Sequence, residues 1–241
     1  MTDVVLIHAF PVDAAMWERQ VADLTGEVRT LAPHLPGFGG EEPPEGPLSV
    51  EAMADAVAAA MDQNGLERAV IVGCSMGGYA AFEMWRRHPG RVAGLVLVDT
   101  RAEPDDDEAR RKRRELAEKV RERGSGVVVE SPPPLLSPGA PEDLWERVRG
   151  WIARQPADSI ARAALGMAER PDSRPDLPRI DVPTTVVVGS EDTLTPPALS
   201  EAMAVRIPDA EMAVLEGAGH LSNLEDPDGF LEALRGLLRR T

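Results

Sequence analysis

Three things are scarce in this chain of 241 residues, and each shortage excludes a class of protein. A single cysteine, Cys74, leaves no partner for an internal disulfide and excludes a multi-cysteine metal site. No apolar run approaches the roughly 18 to 20 residues that a membrane-spanning helix needs. Basic residues number 26 against 41 acidic ones, and the net charge of −15 repels the phosphates of nucleic acids and of anionic membranes. We therefore expect neither a nucleic acid nor a membrane as a partner.

The residues that are plentiful suit one folded domain. Hydrophobic residues make up 43% of the chain, and a length of 241 residues fits a single α/β core with an insertion. The first residues have the pattern of a strand rather than of a signal peptide, so we expect a cytoplasmic protein. The composition leaves the oligomeric state open.

Strand-like and helix-like segments alternate along most of the chain. This alternation predicts an α/β fold with a mostly parallel sheet of about six strands and helices on both faces. The predicted strands are 3–8, 27–32, 69–73, 93–98, 184–189 and 211–215. The predicted helices of this core are 14–24, 49–63, 78–88, 196–206 and 227–240.

The alternation stops between residues 101 and 183. A charged helix candidate, a proline-rich segment at 131–141 and helix-like stretches near 142–154 and 157–169 stand there instead. We therefore expect a hydrolase-like core at 1–100 and 184–241, with 101–183 inserted before the penultimate strand as a helical cap (lid). The basic run 110–114 has the pattern of a solvated helix face.

The segment from Gly73 to Gly77 reads G-x-S-x-G and directly follows a predicted strand. This spacing is typical of a nucleophile elbow, in which a sharp turn from strand to helix leaves the serine hydroxyl, here that of Ser75, above the sheet. The amides that open the following helix have no partners within it and face any anion that forms near this hydroxyl. The Met76 N–H is therefore a candidate oxyanion donor.

A serine nucleophile needs a histidine base, and the chain has only four histidines. His220 follows a predicted strand on a glycine-containing loop, and it is the candidate base. His88 ends a predicted helix, where a structural role is expected. His8 ends the first strand and suits a supporting hydrogen bond, and His34 lies in a loop after a strand.

The carboxylate that orients the histidine should follow a strand between the serine and the histidine in sequence. Asp192 follows the β-branched run 184–188 in this way and is the candidate acid. Its neighbour Glu191 points elsewhere if Asp192 points inward. Asp99, at the end of the predicted strand 93–98, is the alternative carboxylate.

Four segments together resemble the α/β-hydrolase fold superfamily, and most closely its oxoadipate enol-lactonase-like and carboxylesterase-like branch. They are LIHAFP at 6–11, LPGFG at 35–39, GCSMGG at 73–78 and GH at 219–220. The order serine, aspartate, histidine is also that of α/β-hydrolases. The resemblance implies that the chain starts at the family's third strand, without the usual N-terminal hairpin.

The resemblance also implies a role for the loop after the first strand. There the backbone N–H of Phe10 is the second oxyanion donor, and the Phe10 side chain forms a wall of the acyl pocket. The family usually carries glycine where this chain has Ala9, whose Cβ restricts the backbone beside the oxyanion site. Trp145, Trp151 and Met167 of the inserted segment are further pocket candidates.

The expected activity is hydrolysis of a small carboxylic ester or lactone through Ser75, His220 and Asp192, with no metal and no organic cofactor. Such an enzyme is a carboxylesterase or lactonase of class EC 3.1.1. Three other cofactor-free activities fit the same residues, namely carbon–carbon bond hydrolysis, elimination and perhydrolysis. A low-turnover ligand-binding protein is a further alternative of a different class.

Overall fold

A computed structural model describes residues 2–241 and shows one sheet of six parallel strands in the order β2-β1-β3-β4-β5-β6. The strands are β1 (Asp3–Ile7), β2 (Thr30–Leu31), β3 (Ala69–Cys74), β4 (Val92–Val98), β5 (Thr184–Gly189) and β6 (Glu211–Leu215). The predicted parallel six-stranded sheet is thereby confirmed. The second strand is much shorter than the predicted 27–32, because it lies at an edge and pairs only through Thr30 and Leu31 with β1.

Ten α-helices occur in the described part of the chain, and helices flank both faces of the sheet as predicted. They are α1 (Glu18–Asp23), α2 (Val50–Gln63), α3 (Met76–Arg87), α4 (Asp107–Arg123), α5 (Gly126–Glu130), α6 (Glu142–Ala153), α7 (Ala157–Ala168), α8 (Pro197–Ala204), α9 (Ser222–Glu225) and α10 (Pro227–Leu238). Helices α5 and α9 were not predicted. Helix α5 is rich in valine, which favours strands, and α9 has only four residues and so no readable period.

Side-chain caps start several of these helices. The Ser49 hydroxyl accepts a hydrogen bond from the Ala52 amide at 3.2 Å and begins α2, which agrees with the sequence pattern. Asp106 accepts from the Ala109 amide at 2.8 Å and begins α4. Each such cap satisfies one of the N–H groups that a helix start leaves unpaired, and its loss typically costs about 1 kcal/mol.

The core lies on both faces of the sheet because the central strands are buried on both sides. In β3, Ile71 packs on the face that α2 and α3 cover, whereas Val70 and Val72 pack on the face that α10 covers. These side chains are fully buried. Burial of each valine or isoleucine contributes roughly 1.5–3 kcal/mol relative to exposure, so the sheet is a rigid base for the loops at its carboxyl edge.

Residues 101–183 connect β4 to β5 and carry helices α4 to α7. Helices α4 and α7 pack against each other. Because the strands are parallel, the loops that leave β3, β4, β5 and β6 all start at the same edge of the sheet. Among the helices of residues 2–241, none combines the length and the hydrophobicity that crossing a bilayer requires.

Candidate active site

The turn between β3 and α3 holds Ser75 in a conformation that non-glycine residues rarely adopt. Its φ is +52° and its ψ is −110°. A Cβ on Gly73 would lie 2.2 Å from the Gly77 carbonyl oxygen, and one on Gly77 would lie 2.3 Å from the carbonyl oxygen of Ile7. Only glycine fits at both positions, so the sequence GCSMG dictates this turn. Backbone of this kind costs about 1–3 kcal/mol and persists where the surrounding structure holds it.

Neighbouring strands hold the strained residue in place. The Ser75 amide donates to the Val98 carbonyl at 2.9 Å, which extends the pairing of β3 with β4 by one residue. The Thr100 hydroxyl donates to the Ser75 carbonyl at 2.8 Å. With its own backbone fixed on both sides, Ser75 stays half-buried with its hydroxyl directed toward His220.

Three side chains that are far apart in sequence form one chain of hydrogen bonds. The Ser75 Oγ lies 2.8 Å from Nε2 of His220, and Nδ1 of His220 lies 2.8 Å from Oδ2 of Asp192. The serine follows β3, the aspartate follows β5 and the histidine follows β6. This arrangement gives the serine hydroxyl a proton acceptor whose opposite nitrogen is oriented by a carboxylate.

Asp192 is held by more groups than the histidine alone. Its Oδ1 accepts from the amides of Leu194 and Thr195 at 2.8 and 3.0 Å, and its Oδ2 accepts from the Thr195 hydroxyl at 2.5 Å. Burial opposes ionisation of this carboxyl, but the hydrogen bonds from His220 and Thr195 outweigh it and hold its pKa below the ordinary value. The carboxylate therefore stays ionised beside the imidazole at neutral pH.

Asp99, the alternative carboxylate, is equally buried but has different partners. It accepts from the Gly189 amide at 2.9 Å and from the amide and hydroxyl of Ser222 at 3.0 and 2.5 Å. Burial raises its pKa to about 7, against the nearby His220 and the hydrogen bonds of Ser222 and Gly189. No hydrogen bond joins it to His220 in the described residues, so it ties β4 to β5 and to the histidine loop instead.

The two candidate oxyanion donors come from different elements: Phe10 lies in the loop after β1 and lines the same cavity as Ser75, whereas Met76 is the first residue of α3. Within residues 2–241, neither the Phe10 N–H nor the Met76 N–H has a hydrogen-bond acceptor. Both amides therefore remain available to an external oxygen atom. Ala9 is fully buried in this loop, and its amide donates to the sulfur of Met16 at 3.2 Å.

His8 connects this loop to a neighbouring segment through two hydrogen bonds. Its Nδ1 donates to the Ala9 carbonyl at 2.9 Å, and its Nε2 accepts from the Leu35 amide at 3.1 Å. Complete burial lowers its pKa to about 4, so the ring is neutral and can serve as donor and acceptor at once. His8 thus links the HAFP segment to the LPGFG segment.

The other two histidines lie outside the hydrogen-bond chain. His34 Nδ1 accepts from the Ala14 amide at 3.3 Å. His88 caps the end of α3, and its Nε2 lies 2.8 Å from Asp55 on the surface. His88 therefore has a structural partner, as its position at a helix end indicated, although the partner is a carboxylate of α2.

A cavity of about 220 Å³ opens above Ser75 and His220. Two of the predicted pocket residues, Phe10 and Met167, line it. Four further apolar residues line it, namely Leu116, Pro133, Leu135 and Leu194, and Tyr79 and Thr195 lie in the same wall. The lining comes from both the sheet edge and the segment 101–183.

Trp145 and Trp151 do not line the cavity, which corrects their assignment as pocket residues. Trp151 is buried in the core on the sheet face that α10 covers, and the partly buried Trp145 packs against the same core. The guanidinium groups of Arg149 and Arg147 lie over the rings of Trp145 and Trp151 at 5.5 and 5.3 Å. Their helical spacing placed them on the face of α6 that packs against the neighbouring elements. Sequence spacing alone does not tell a core face from a pocket face.

Sequence reasoning missed two charged residues of the cavity, Arg101 and Arg113. Arg113 belongs to the basic run 110–114, which had the pattern of a solvated helix face, but its side chain turns inward to Asp105. Arg101 follows the end of β4, and its position two residues after Asp99 was an available signal. A strand end at the carboxyl edge of a parallel sheet is where binding residues concentrate.

The chain matches known proteins over nearly its whole length. A family model described as alpha/beta hydrolase fold matches residues 3–227. The structure of a thermophilic esterase from Thermogutta terrifontis, with malate bound, superposes with a TM-score of 0.96 and 42% sequence identity, and the match covers 100% of this chain and 91% of that one.

Two curated proteins are also similar. The 3-oxoadipate enol-lactonase 2 of Acinetobacter baylyi is 27% identical over 98% of this chain and 88% of its own length. The pimeloyl-[acyl-carrier protein] methyl ester esterase of Neisseria meningitidis is 30% identical over 96% of this chain and 75% of its own length. All three of these relatives are named for activity on an ester or a lactone.

Proposed function

This chain belongs to the α/β-hydrolase fold family of enzymes, and we propose that it is a serine hydrolase that cleaves small carboxylic esters or lactones. Ser75 is the nucleophile, His220 is the general base and acid, and Asp192 orients the histidine. The observation that carries this proposal is the unbroken pair of 2.8 Å contacts from Ser75 Oγ to His220 and from His220 to Asp192. The esterase and lactonase names of the relatives support the substrate class.

The first half of the proposed reaction forms an acyl-enzyme. His220 Nε2 takes the proton of the Ser75 hydroxyl while Oγ attacks the carbonyl carbon. The carbonyl oxygen becomes an oxyanion, which the free N–H groups of Phe10 and Met76 bind. The imidazolium of His220 then gives its proton to the leaving alcohol oxygen, and the ionised Asp192 stabilises that imidazolium until it does.

The second half returns the enzyme to its starting state. Water replaces the alcohol, His220 takes one of its protons, and the resulting hydroxide attacks the acyl carbon. The tetrahedral intermediate collapses, Ser75 leaves with the proton from His220, and the acid product is released. Loss of one oxyanion donor typically costs about 10²–10³ in kcat, so the placement of the Ala9–Phe10 segment affects the rate strongly.

The proposal extends to the division of the chain. Residues 1–100 and 184–241 form the catalytic core, and residues 101–183 form the cap. Support comes from the cavity lining, to which the segment contributes Arg101, Arg113, Leu116, Pro133, Leu135 and Met167. A cover of this kind keeps bulk water from the acyl-enzyme and limits the size of the substrate.

The test is hydrolysis of short-chain esters and lactones by the wild type and by Ser75→Ala. We expect kcat to fall by about 10⁶ in the variant, because the three groups act as a unit. Ser131→Ala, which changes an exposed serine, is the matched control and should retain wild-type kcat. Hydrolysis that survives in Ser75→Ala would remove Ser75 from the mechanism.

A further inference from the structure

We propose that the substrates of this site carry a free carboxylate, and that Arg101 and Arg113 bind that carboxylate in the pocket above Ser75. This inference rests on the proposed function, because it names the substrate class of the same site. It concerns the end of the substrate that does not react. The supporting observations are the charge of the pocket, the pairing of its arginines and its size.

The pocket has the opposite charge from the rest of the chain. Arg101 and Arg113 line it, and no aspartate or glutamate lines it among the residues that the structure describes. The whole chain has a net charge of −15. Since the two guanidinium groups are cations at any physiological pH, they attract an anion into a pocket that is otherwise mostly apolar.

One buried carboxylate beside the pocket forms ion pairs with three arginines. The fully buried side chain of Asp105 contacts Arg101 at 2.7 Å, Arg170 at 2.6 Å and Nε of Arg113. Three positive charges thus face one negative charge. The ion pairs of this cluster therefore leave two more positive than negative charges, and the carboxylate of a bound substrate reduces that excess.

Arg170 does not take part in binding because it is buried and does not line the cavity. It is only 2% exposed, it donates to the carbonyls of Met167 and Glu103 at 3.1 and 2.8 Å, and it stacks on the Tyr79 ring at 4.3 Å. Arg101 and Arg113 are more open, with 25% and 20% of their side chains exposed. They are the members of the cluster that reach the pocket.

One N–H group of Arg101 also lacks a hydrogen-bond acceptor among the described residues. Its Nε is buried and has no hydrogen-bond partner among the described residues. A buried donor without an acceptor costs about 1–3 kcal/mol. A substrate carboxylate supplies acceptor oxygens to the same guanidinium group, and guanidinium and carboxylate pair well because both are planar and can form two parallel hydrogen bonds.

The volume of the pocket limits the length of the substrate. The cavity of about 220 Å³ is smaller than the roughly 300–1,000 Å³ of pockets for drug-sized ligands. A monoester of a short dicarboxylic acid, or a small lactone with a carboxylate side arm, fits this volume.

The experiment compares two esters that differ only in their far end, monomethyl glutarate with a carboxylate and methyl valerate with a methyl group, at pH 7.5, where the free carboxyl of the first is ionised. The readout is the ratio of their kcat/KM values. We expect the wild type to prefer the glutarate ester by about tenfold or more. Arg101→Gln and Arg113→Gln should each lower this ratio by about 10- to 100-fold, which is the usual effect of a hydrogen bond to a charged group.

Arg114→Gln is the matched control on the same helix. Its guanidinium is 56% exposed and pairs with Glu169 at 3.0 Å, away from the pocket. The ratio should stay at the wild-type value in this variant. A general effect of surface charge would instead lower the ratio equally in Arg114→Gln and Arg113→Gln, and this result would overturn the proposal.

A wild-type ratio at or below one would likewise overturn it, as would a ratio that neither pocket variant changes. Direct titration of the wild type and Arg113→Gln by calorimetry with glutaric acid monoamide and valeramide, the amide analogues of the two esters, separates this inference from the proposed function. Binding of the glutaric monoamide over valeramide that weakens by tenfold or more in Arg113→Gln supports the carboxylate site even if neither ester is hydrolysed. Absence of binding of the glutaric monoamide in the wild type contradicts it even if both esters are hydrolysed.

Discussion

The two walls of the site are built differently. The sheet wall consists of the loops after β3, β5 and β6, and its polar groups, Ser75, His220 and Asp192, satisfy one another within hydrogen-bonding distance. The helix wall comes from residues 101–183 and combines apolar side chains with Arg101 and Arg113, which outnumber their one carboxylate partner. We infer that the sheet wall provides the reaction, whereas the helix wall selects the substrate.

The largest expected difference lies between two buried carboxylates, Asp192 of the sheet wall and Asp99 at the end of β4. Asp192→Asn should lower kcat by about 10⁴, because an amide neither fixes the tautomer of His220 nor stabilises its imidazolium. Asp99→Asn should lower kcat by less than about tenfold, since Asp99 bonds to Gly189 and Ser222 rather than to the imidazole. The measurement is steady-state hydrolysis of one ester by both variants. An equal loss in the two would mean that the histidine depends on both carboxylates.

The next effect concerns the stability of the helix wall. Asp105→Asn leaves the 2% exposed Arg170 without its carboxylate, and breaking a buried pair of this kind typically costs about 3–5 kcal/mol. Asp172→Asn removes the partner of Arg174 at a more exposed site, where a pair contributes at most about 1 kcal/mol. Urea unfolding of the two variants gives the comparison. Similar free energies of unfolding would show that the arginine cluster does not depend on Asp105.

A smaller effect appears in the pH dependence of stability. The pKa of Asp99 is raised to about 7, so the folded protein holds this proton more tightly than the unfolded chain does. The resulting stabilisation is present at low pH and is lost as the pH rises through 7. From pH 5 to 7.5 the loss is about 2.5 kcal/mol.

Asp99→Asn removes this titration and leaves that of His8, whose lowered pKa acts in the opposite direction, unchanged. The difference between the unfolding free energies of wild type and variant should therefore shift by about 2.5 kcal/mol across that range, in favour of the variant at high pH. Urea titrations at pH 5, 6, 7 and 7.5 measure this shift. A difference that stays constant with pH would contradict the raised pKa.

The smallest expected effect separates two hydrophobic residues of the helix wall. Met167 lines the pocket, so Met167→Ala enlarges it. We expect kcat/KM for an ester whose acyl chain is two carbons longer to rise by about tenfold, which is the usual effect on kcat/KM of a methylene-sized change in a hydrophobic pocket. Trp145→Ala lies outside the pocket lining and should change this preference by less than twofold. A series of methyl esters of increasing length checks both. A larger change in the tryptophan variant would return Trp145 to the pocket.

The sequence predicted the sheet wall well because its signals are local. Gly73 and Gly77 leave no room for a Cβ, so the elbow around Ser75 is encoded within five residues. Strands β1, β3, β4 and β5 match their predicted ranges to within one residue at each end, since they are mostly buried, apolar runs. Strand β6 matches its predicted range as well, although it is only partly buried. The exception, β2, shows the limit, because pairing with β1 on one side alone decides its length.

The helix wall was less predictable because its features depend on contacts between distant segments. Arg113 turns inward only because Asp105 lies beside α4, and a run of basic residues by itself indicates a solvated face. The helical spacing that includes Trp151 is the same whether that face of the helix packs on the core or lines the cavity, so the sequence does not distinguish the two. The approach of Arg170, which lies 65 residues after Asp105, to the same carboxylate has no signature in the chain.

Labelling with a fluorophosphonate, followed by mass mapping of the adduct, tests the central claim most directly. The probe reacts with a serine that a neighbouring base has activated. We expect one adduct on Ser75 in the wild type, and its loss in His220→Gln, which removes the base and keeps Ser75. An adduct on another residue, or labelling of Ser75 at the wild-type rate in His220→Gln, would contradict the claim that His220 activates Ser75.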